Sequence, residues 1–311
     1  MNCDSFPFYL PEKNGGGKLS WQTSLEIRMN RPTWKDIGYV AQFMTHTSLP
    51  YRQIAGTEYC RRNGQMELNI IAPSAIGLPY GASARLILIY LVTVAKIQDN
   101  PHIVLGRSFA DFMARIGRPR TGGLYGGIRR VKEQLIRVLA SNICFYRAQR
   151  PAKALMSFKQ IPVATKIKLF DSSSNVGKEK NGIYVTLSAE FMDNLREHGP
   201  IPIDMRIVRQ IKNSAQAIDI YTWLSYRLYK STKAPFFIPW IRLREQFGTA
   251  AKRNSDVQRP FVKQLKRVLQ WYPVIQFEIV KEGLWIRPTA DARQIMKIVP
   301  PRDKDSEVSF W

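Results

Sequence analysis

Residues that commonly bind metals or form disulfides are scarce in this 311-residue sequence. It contains three cysteines and three histidines, namely Cys3, Cys60, Cys144, His46, His102 and His198. The cysteines are odd in number and far apart, so they indicate neither a disulfide framework nor a metal-binding pair. The histidines are isolated, and no two have the spacing of ligands that share a metal.

Motifs for nucleotide hydrolysis and DNA cleavage are also lacking. The run Gly15-Gly16-Gly17-Lys18 is followed by Leu19 and has no upstream glycine, so it is not a phosphate-binding loop. Tyr226 and Lys230 have the spacing of a nickase nucleophile motif, but that chemistry also needs a paired-histidine metal site. Packing in the core is the favoured interpretation of Tyr226. We therefore expect no enzyme activity, no cofactor and no metal.

Long apolar runs and a targeting signal are absent as well. Met1–Ser20 has no cationic head followed by an apolar stretch, which argues against a signal peptide. The longest apolar run, Leu86–Val92 with its extension to Ala95, is shorter than the roughly 20 residues of a membrane span. These features predict a soluble cytoplasmic protein without a membrane partner.

Acidic residues are few relative to basic ones. Asp and Glu number 24 against 47 Lys and Arg, which gives a net charge of +23 and a pI near 10.1. The positive electrostatic field of such a chain attracts polyanions, above all nucleic acids. A hydrophobic fraction of 45% is sufficient for a buried core, and the length suggests two domains.

The first half of the chain contains three segments with helical patterns. Ala82–Lys96 is apolar almost all round and is too long for a typical strand. Ser108 is a suitable N-cap for a second helix ending near Gly117, and a third helix is predicted over Ile128–Ala140. Ile103–Leu105 reads as a short strand between the first two helices.

Other segments of this half give weaker signals. We expect a short helix around Trp34–Phe43, and polar–apolar alternation predicts a strand over Gln65–Ile70. Ile143–Ala148 is predicted to be a strand that pairs within Ala154–Leu169 or Ile183–Leu187.

The second half repeats the order of elements. A helical stripe from Ala217 to Leu228 is followed by a short extended piece, a helix that begins at Pro239 and a third helix over Val257–Trp271. Val274–Val280 and Leu284–Arg287 then form a predicted hairpin.

The two halves also contain similar short sequences that lie about 130 residues apart. Leu135–Leu139 corresponds to Leu265–Leu269, Ile116-Gly117 to Phe247-Gly248, and Ile89-Tyr90 to Ile220-Tyr221. Because helix, strand, helix, helix, hairpin is the order of a winged helix, we predict an α+β fold of two tandem winged-helix domains related by internal duplication. Two unrelated α+β pieces with chance matches are the alternative.

This interpretation divides the chain into four parts. Residues 1–55 are expected to be a partly flexible N-terminal extension, and residues 56–190 the first winged helix. Residues 191–290 are expected to be the second winged helix, and residues 291–311 a C-terminal tail.

Basic residues concentrate on and around the two third helices, and both sets are nearly free of acidic residues. The candidate DNA-binding residues are Arg118, Arg120, Arg129, Arg130, Lys132, Arg137 and Arg147 in the first half, and Lys252, Arg253, Arg259, Lys263, Lys266 and Arg267 in the second. A solvated surface is the alternative, but such a surface normally mixes charges of both signs. Contact with nucleic acid is therefore favoured.

Aromatic residues crowd the first helix of the second half, including Tyr221, Trp223, Tyr226 and Tyr229. They could stack on unpaired bases, but their spacing follows the apolar stripe and favours core packing.

Several short sequence segments, taken in order along the chain, resemble the plasmid-encoded RepA replication-initiator family. They are Thr57–Gly64, Gly77–Gly81, Arg85–Leu88, Leu105–Phe109 with Phe112-Met113, Gly122-Gly123 leading into Ile128-Arg129-Arg130, Ile220–Leu224 and Ile238–Trp240. The likeness covers roughly residues 55–290.

The resemblance implies an initiator that binds repeated duplex sequences, the iterons, in a plasmid origin. It further implies bending or opening of the origin, recruitment of host replication proteins such as a helicase or its loader, possible homodimers and copy-number control. The rival hypotheses are a winged-helix transcriptional repressor, a nicking or recombination enzyme, and an RNA-binding protein.

Overall fold

The computed structural model describes residues 32–119, 126–147, 160–169, 182–230, 235–248, 253–272 and 275–289, together with Ile27 and Asn30. In these ranges the protein is a mixed α+β fold. One hydrophobic cluster of buried residues extends from Ile37 to Ile286, so both halves of the chain share a continuous core.

The elements before the first long helix include a strand that the sequence did not predict. After a single 3₁₀ turn at Trp34–Asp36, the chain forms β1 (Ile37–Val40), α1 (Phe43–His46), β2 (Glu58–Asn63) and β3 (Met66–Ile71). The predicted helix over Trp34–Phe43 is therefore wrong. β1 pairs antiparallel with a strand far along the chain, Ile201–Asp204, and Gly38 permits this approach because a Cβ there would lie 2.5 Å from Met205 Sδ.

The rest of the first half follows in the predicted order. Its elements are α2 (Gly81–Gln98), β4 (His102–Gly106), α3 (Phe109–Arg115), α4 (Gly127–Leu139), β5 (Asn142–Arg147), β6 (Gln160–Pro162), β7 (Ala164–Leu169) and β8 (Ile183–Leu187). The predicted N-cap of α3 is confirmed, since the Ser108 hydroxyl accepts a hydrogen bond from the Asp111 N–H.

The second half begins with three elements that join it to the first. They are α5 (Ala189–His198), β9 (Ile201–Asp204) and α6 (Met205–Ile211). The elements α7 (Ala215–Lys230), β10 (Phe236–Pro239), α8 (Trp240–Phe247), α9 (Asn254–Leu269), β11 (Ile275–Ile279) and β12 (Gly283–Pro288) follow, and the predicted hairpin is confirmed.

Two three-stranded sheets have equivalent strand orders, β4-β8-β7 and β10-β12-β11. In each, the strand before the second helix lies at one edge and the last strand lies in the centre. The sequence similarities between the halves lie on corresponding elements. Ile89-Tyr90 on α2 corresponds to Ile220-Tyr221 on α7, and Leu135–Leu139 on α4 corresponds to Leu265–Leu269 on α9.

The strand after α4 pairs differently from the strand after α9. β5 pairs with β6, within the range predicted for its partner, but its other neighbour is β3. The resulting sheet has the order β2-β3-β5-β6, and β7 and β8 form the hairpin that pairs with β4. The connection between β7 and β8, like residues 1–26 and 290–311, lies outside the described residues.

The long helix α2 is the centre of the fold. Every residue from Ala84 to Ala95 is buried, as expected of a helix that is apolar all round. Among the described residues it is the one helix with the length and hydropathy of a membrane span, and about 67% of it is buried inside the protein. Protein atoms therefore cover its apolar surface.

A buried ion pair connects α2 to α7. Arg85 is fully buried, and its guanidinium makes a bidentate contact with Asp219, with Nε–Oδ1 at 2.7 Å and Nη2–Oδ2 at 2.8 Å. Its remaining N–H groups donate to the carbonyl oxygens of Leu49, Pro50 and Gly81. All five donors of the guanidinium are thus satisfied, which a buried arginine requires.

Replacing Asp219 with alanine should destabilise the protein strongly, because it leaves the Arg85 charge buried without a counter-ion. We expect the free energy of unfolding to fall by about 3–5 kcal/mol in chemical denaturation. Asp219→Asn keeps the side chain's shape and provides a second variant if Asp219→Ala does not fold.

The matched control is Asp193→Ala. It removes an exposed carboxylate that lies 3.3 Å from Arg196 and should change the free energy of unfolding by less than about 1 kcal/mol. Equal losses in the Asp193 and Asp219 variants would contradict a special role for the buried pair.

Candidate nucleic-acid interface

The exposed face of α4 is mostly cationic, and the one carboxylate on this helix, Glu133, pairs with Arg137. The helix is strongly amphipathic and buries Val131, Leu135 and Val138 against the core. Arg129, Arg130 and Lys132 are exposed on the first two turns. These side chains are near the helix N-terminus, which is the end that HTH-type recognition helices present to base edges.

Arg137 belongs to the same helix but not to this face. It is buried, its Nη1 donates to the Leu78 carbonyl at 3.0 Å, and its Nη2 donates to Glu133 at 2.6 Å. Gly77, with φ of +80°, leaves room for the guanidinium, since a Cβ there would lie 2.9 Å from Nη1. Arg137 thus holds the loop before α2 against α4. Its burial disfavours the prediction that Arg137 contacts DNA.

Arg118 is half-buried and links the two halves of the chain. Its guanidinium donates to the side chain of Asn213 at 3.0 Å and to the carbonyl of Lys212 at 3.1 Å. Burial lowers the pKa of Arg118 below its ordinary value. These contacts place Arg118 in a structural role, apart from the exposed cations of α4.

The helix α9 presents the second set of cations. It buries Phe261, Leu265 and Val268, while Arg259 and Lys263 are exposed and Lys266 and Arg267 are half-buried. Before it, Arg253 is exposed and its Nε lies 3.8 Å from Asp256. The helix starts at Asn254, three residues before the predicted Val257, so Pro260 lies inside it and lacks the N–H that would bond the Asp256 carbonyl.

A groove of about 480 Å³ runs beside this helix. Its walls are Gln258, Arg259, Val262, Lys263, Lys266 and Ile279. Ile279, at the end of β11, is 42% exposed and adds an apolar surface next to the cations. Sequence reasoning missed Ile279, because its spacing from Ile275 and Phe277 is that of a buried strand residue.

Three of the candidate residues cannot be placed. Arg120 and Lys252 lie outside the described residues, as does the side chain of Arg147. The structure therefore groups Arg129, Arg130 and Lys132 on α4, and groups Arg253 with the α9 set.

Two of the aromatic residues of α7 are buried in the core, as predicted. Tyr221 and Trp223 are buried, and Trp223 meets Phe247 and Phe261 edge to face. Tyr226 is only half-buried and lies beside a cavity, while the side chain of Tyr229 lies outside the described part. Within the described ranges, no three His, Cys, Asp or Glu side chains cluster closely enough to hold a metal ion.

Comparisons with known proteins identify both the family and the fold. Residues 78–238 match the family described as "Plasmid encoded RepA protein". The fold is similar to a crystal structure of RctB domains 2-3, with a TM-score of 0.52 at 9% identity over 82% of this chain and 99% of that one. It is also similar to a selenomethionine derivative of domains 2 and 3 of RctB, with a TM-score of 0.51 at 11% identity over 79% of this chain and 95% of that one.

A search of curated proteins gives no match. The likeness to RctB concerns the fold alone, whereas the family match spans more than half of the sequence and includes α2, α3, α4 and α7. The chain therefore belongs to the plasmid-encoded RepA family of replication initiators.

Proposed function

We propose that this protein starts plasmid replication by binding iterons, the repeated duplex sequences of a plasmid origin. The observation that carries the proposal is the cationic face on each of two corresponding helices, Arg129, Arg130 and Lys132 on α4 and Arg259 and Lys263 on α9. Like charges held together on a rigid helix repel one another, and a phosphate backbone relieves that repulsion.

We further propose that the two halves are tandem winged helices that arose by duplication. The equivalent strand orders of the sheets β4-β8-β7 and β10-β12-β11 support this proposal. The sequence similarities between α2 and α7 and between α4 and α9 support it as well. In a helix-turn-helix fold the recognition helix enters the major groove. α4 and α9 would then occupy successive major grooves, about 10 bp apart.

Within each groove, arginines and lysines have different roles. Arg129 and Arg259 are the proposed base readers, because the planar guanidinium can bond guanine O6 and N7 together. Lys132 and Lys263 would hold phosphates. Val262 and Ile279 line the groove beside α9 and provide the apolar contact that a thymine methyl group favours.

Later steps are inferred from the family. They are bending or opening of the origin, recruitment of a host helicase or its loader, and self-association with control of copy number, all in the bacterial cytoplasm. We propose that the protein performs them without enzymatic activity of its own, and a host helicase would supply the energy.

The alternatives differ in simple observations. The coding sequence of an initiator is expected to lie beside a plasmid origin with direct repeats and an A·T-rich stretch. The coding sequence of a transcriptional repressor with the same fold would have no such origin beside it. A nicking or recombination enzyme would cut supercoiled origin DNA or form a covalent adduct. An RNA-binding protein would prefer RNA to duplex DNA in competition.

Replacing Arg259 and Lys263 together with alanine should weaken binding to the origin repeat by about 10-fold to 100-fold. Both side chains are exposed and make no core contact, so the thermal unfolding temperature should stay that of the parent. Titration of a labelled repeat and of a scrambled duplex measures the effect on specific and nonspecific binding.

The control for this variant is Lys96→Ala with Arg196→Ala. It removes the same charge from exposed positions of α2 and α5, away from α4 and α9. If both double variants bind the repeat equally well, the exposed face of α9 is not a DNA-reading surface.

Binding to the origin repeat should depend steeply on salt. With six to nine of the clustered cations near phosphates, the logarithm of affinity should fall against the logarithm of salt concentration with a slope of about −5 to −8. Titrations at several salt concentrations give the slope. A slope near zero would refute binding through the charged clusters.

A further inference from the structure

A second cavity, of about 390 Å³, lies where the two halves of the chain meet, away from the groove beside α9. Thr45, His46 and Asn63 line it from the first half, and α7, β10 and α8 line it from the second. The volume is within the range of sites for small molecules.

The walls of this cavity are largely aromatic. His46, Trp223, Tyr226 and Phe236 line it, and the His46 and Tyr226 rings meet edge to face with centroids 4.5 Å apart. Burial, together with the nearby Arg227 charge, lowers the pKa of His46 to about 4, so its ring is neutral at physiological pH. The walls therefore favour a flat, uncharged ring system.

Arg227 supplies a cation to this aromatic cavity. It is half-buried, and its guanidinium carbon lies 5.8 Å from the ring centroids of both Trp223 and Phe236. None of the described carboxylates pairs with it, and burial lowers its pKa below the ordinary value of arginine. Such a cation favours an anionic partner.

Polar side chains at the cavity are fixed by hydrogen bonds. The Asn63 amide donates to the His46 carbonyl at 2.7 Å and to Gln246 Oε1 at 3.1 Å, which fixes both side chains. Trp223 is 2% exposed and its indole Nε1 is not accessible from the cavity, so the indole forms part of the wall and offers no hydrogen bond to a ligand. The accessible ring surface is that of Tyr226 and Phe236, which are half-buried.

We propose that this pocket binds a nucleoside monophosphate, with its base among the aromatic walls and its phosphate at Arg227. A phosphate oxygen would accept hydrogen bonds from the guanidinium, and the base would contact the accessible faces of Tyr226 and Phe236. None of the described residues that line the pocket is a carboxylate, so they offer no ligand for the Mg²⁺ that accompanies a triphosphate.

This site is independent of the proposed duplex contacts. Because the pocket walls come from both halves of the chain, a bound nucleotide would stabilise their junction and raise the unfolding temperature. The protein could then respond to free nucleotide without any change in the cations of α4 and α9.

Calorimetric titration of the full chain with AMP, dTMP, adenosine and inorganic phosphate tests the proposal. We expect a nucleoside monophosphate to bind more tightly than adenosine or phosphate alone, and to raise the unfolding temperature. Arg227→Gln should weaken its binding by about 10-fold to 100-fold through loss of the charged hydrogen bond, and Tyr226→Leu should weaken it less.

The control variant is Arg196→Gln, which removes an exposed arginine that is not among the pocket-lining residues and should bind the monophosphate like the parent. Titration of the origin repeat with Arg227→Gln separates this proposal from that of duplex binding, because the repeat should bind this variant as it binds the parent.

Three results would overturn the proposal. One is the failure of AMP and dTMP to bind at millimolar concentration, and another is binding that both Arg227→Gln and Tyr226→Leu leave unchanged. The third is saturation by single-stranded oligo(dT) while the monophosphates do not bind, which would assign the pocket to a DNA strand.

Discussion

The buried pair between Arg85 and Asp219 is the interaction on which the arrangement of the two halves depends. A guanidinium without exposure to water is stable only when its charge and all its N–H groups have partners, and here those partners come from three parts of the chain. The pair fixes α2 against α7 and holds the Leu49–Pro50 segment beside them. Leu49 of that segment is buried in the same core as Ile37 and Phe43.

The position of each cationic helix follows from this joint. α4 packs on α2 and α9 packs on α7, so the distance and angle between the two cationic helices are set by the helices that the ion pair connects. A second polar link supports the arrangement. The Arg61 guanidinium donates to the Glu245 and Gly248 carbonyls, and Asn63 donates to Gln246, so the β2–β3 hairpin also contacts α8. In the proposed complex, two helices held in this way would bind one duplex with little loss of conformational freedom.

Sequence reasoning was most successful where the signal is local. The apolar run of α2, the Ser108 cap and the β11–β12 hairpin are recognisable from neighbouring residues alone. β1 was missed because its partner, β9, lies far along the chain, and a four-residue segment gains its stability from that pairing. Arg137 is among the predicted DNA-binding residues because it belongs to the run of cations on the third helix of the first half. The Leu78 carbonyl that buries it belongs to a loop that precedes α2, which no local pattern reveals.

The central claim is that one chain presents two recognition helices to a single stretch of duplex. Hydroxyl-radical footprinting of the origin repeat at saturating protein tests it, with the parent, an Arg129, Arg130 and Lys132 triple alanine variant, and the Arg259 and Lys263 double alanine variant. One chain should protect about 20 bp as two windows about 10 bp apart, and each variant should lose a different window. A single window that both variants lose together, or protection that neither variant alters, would contradict the claim.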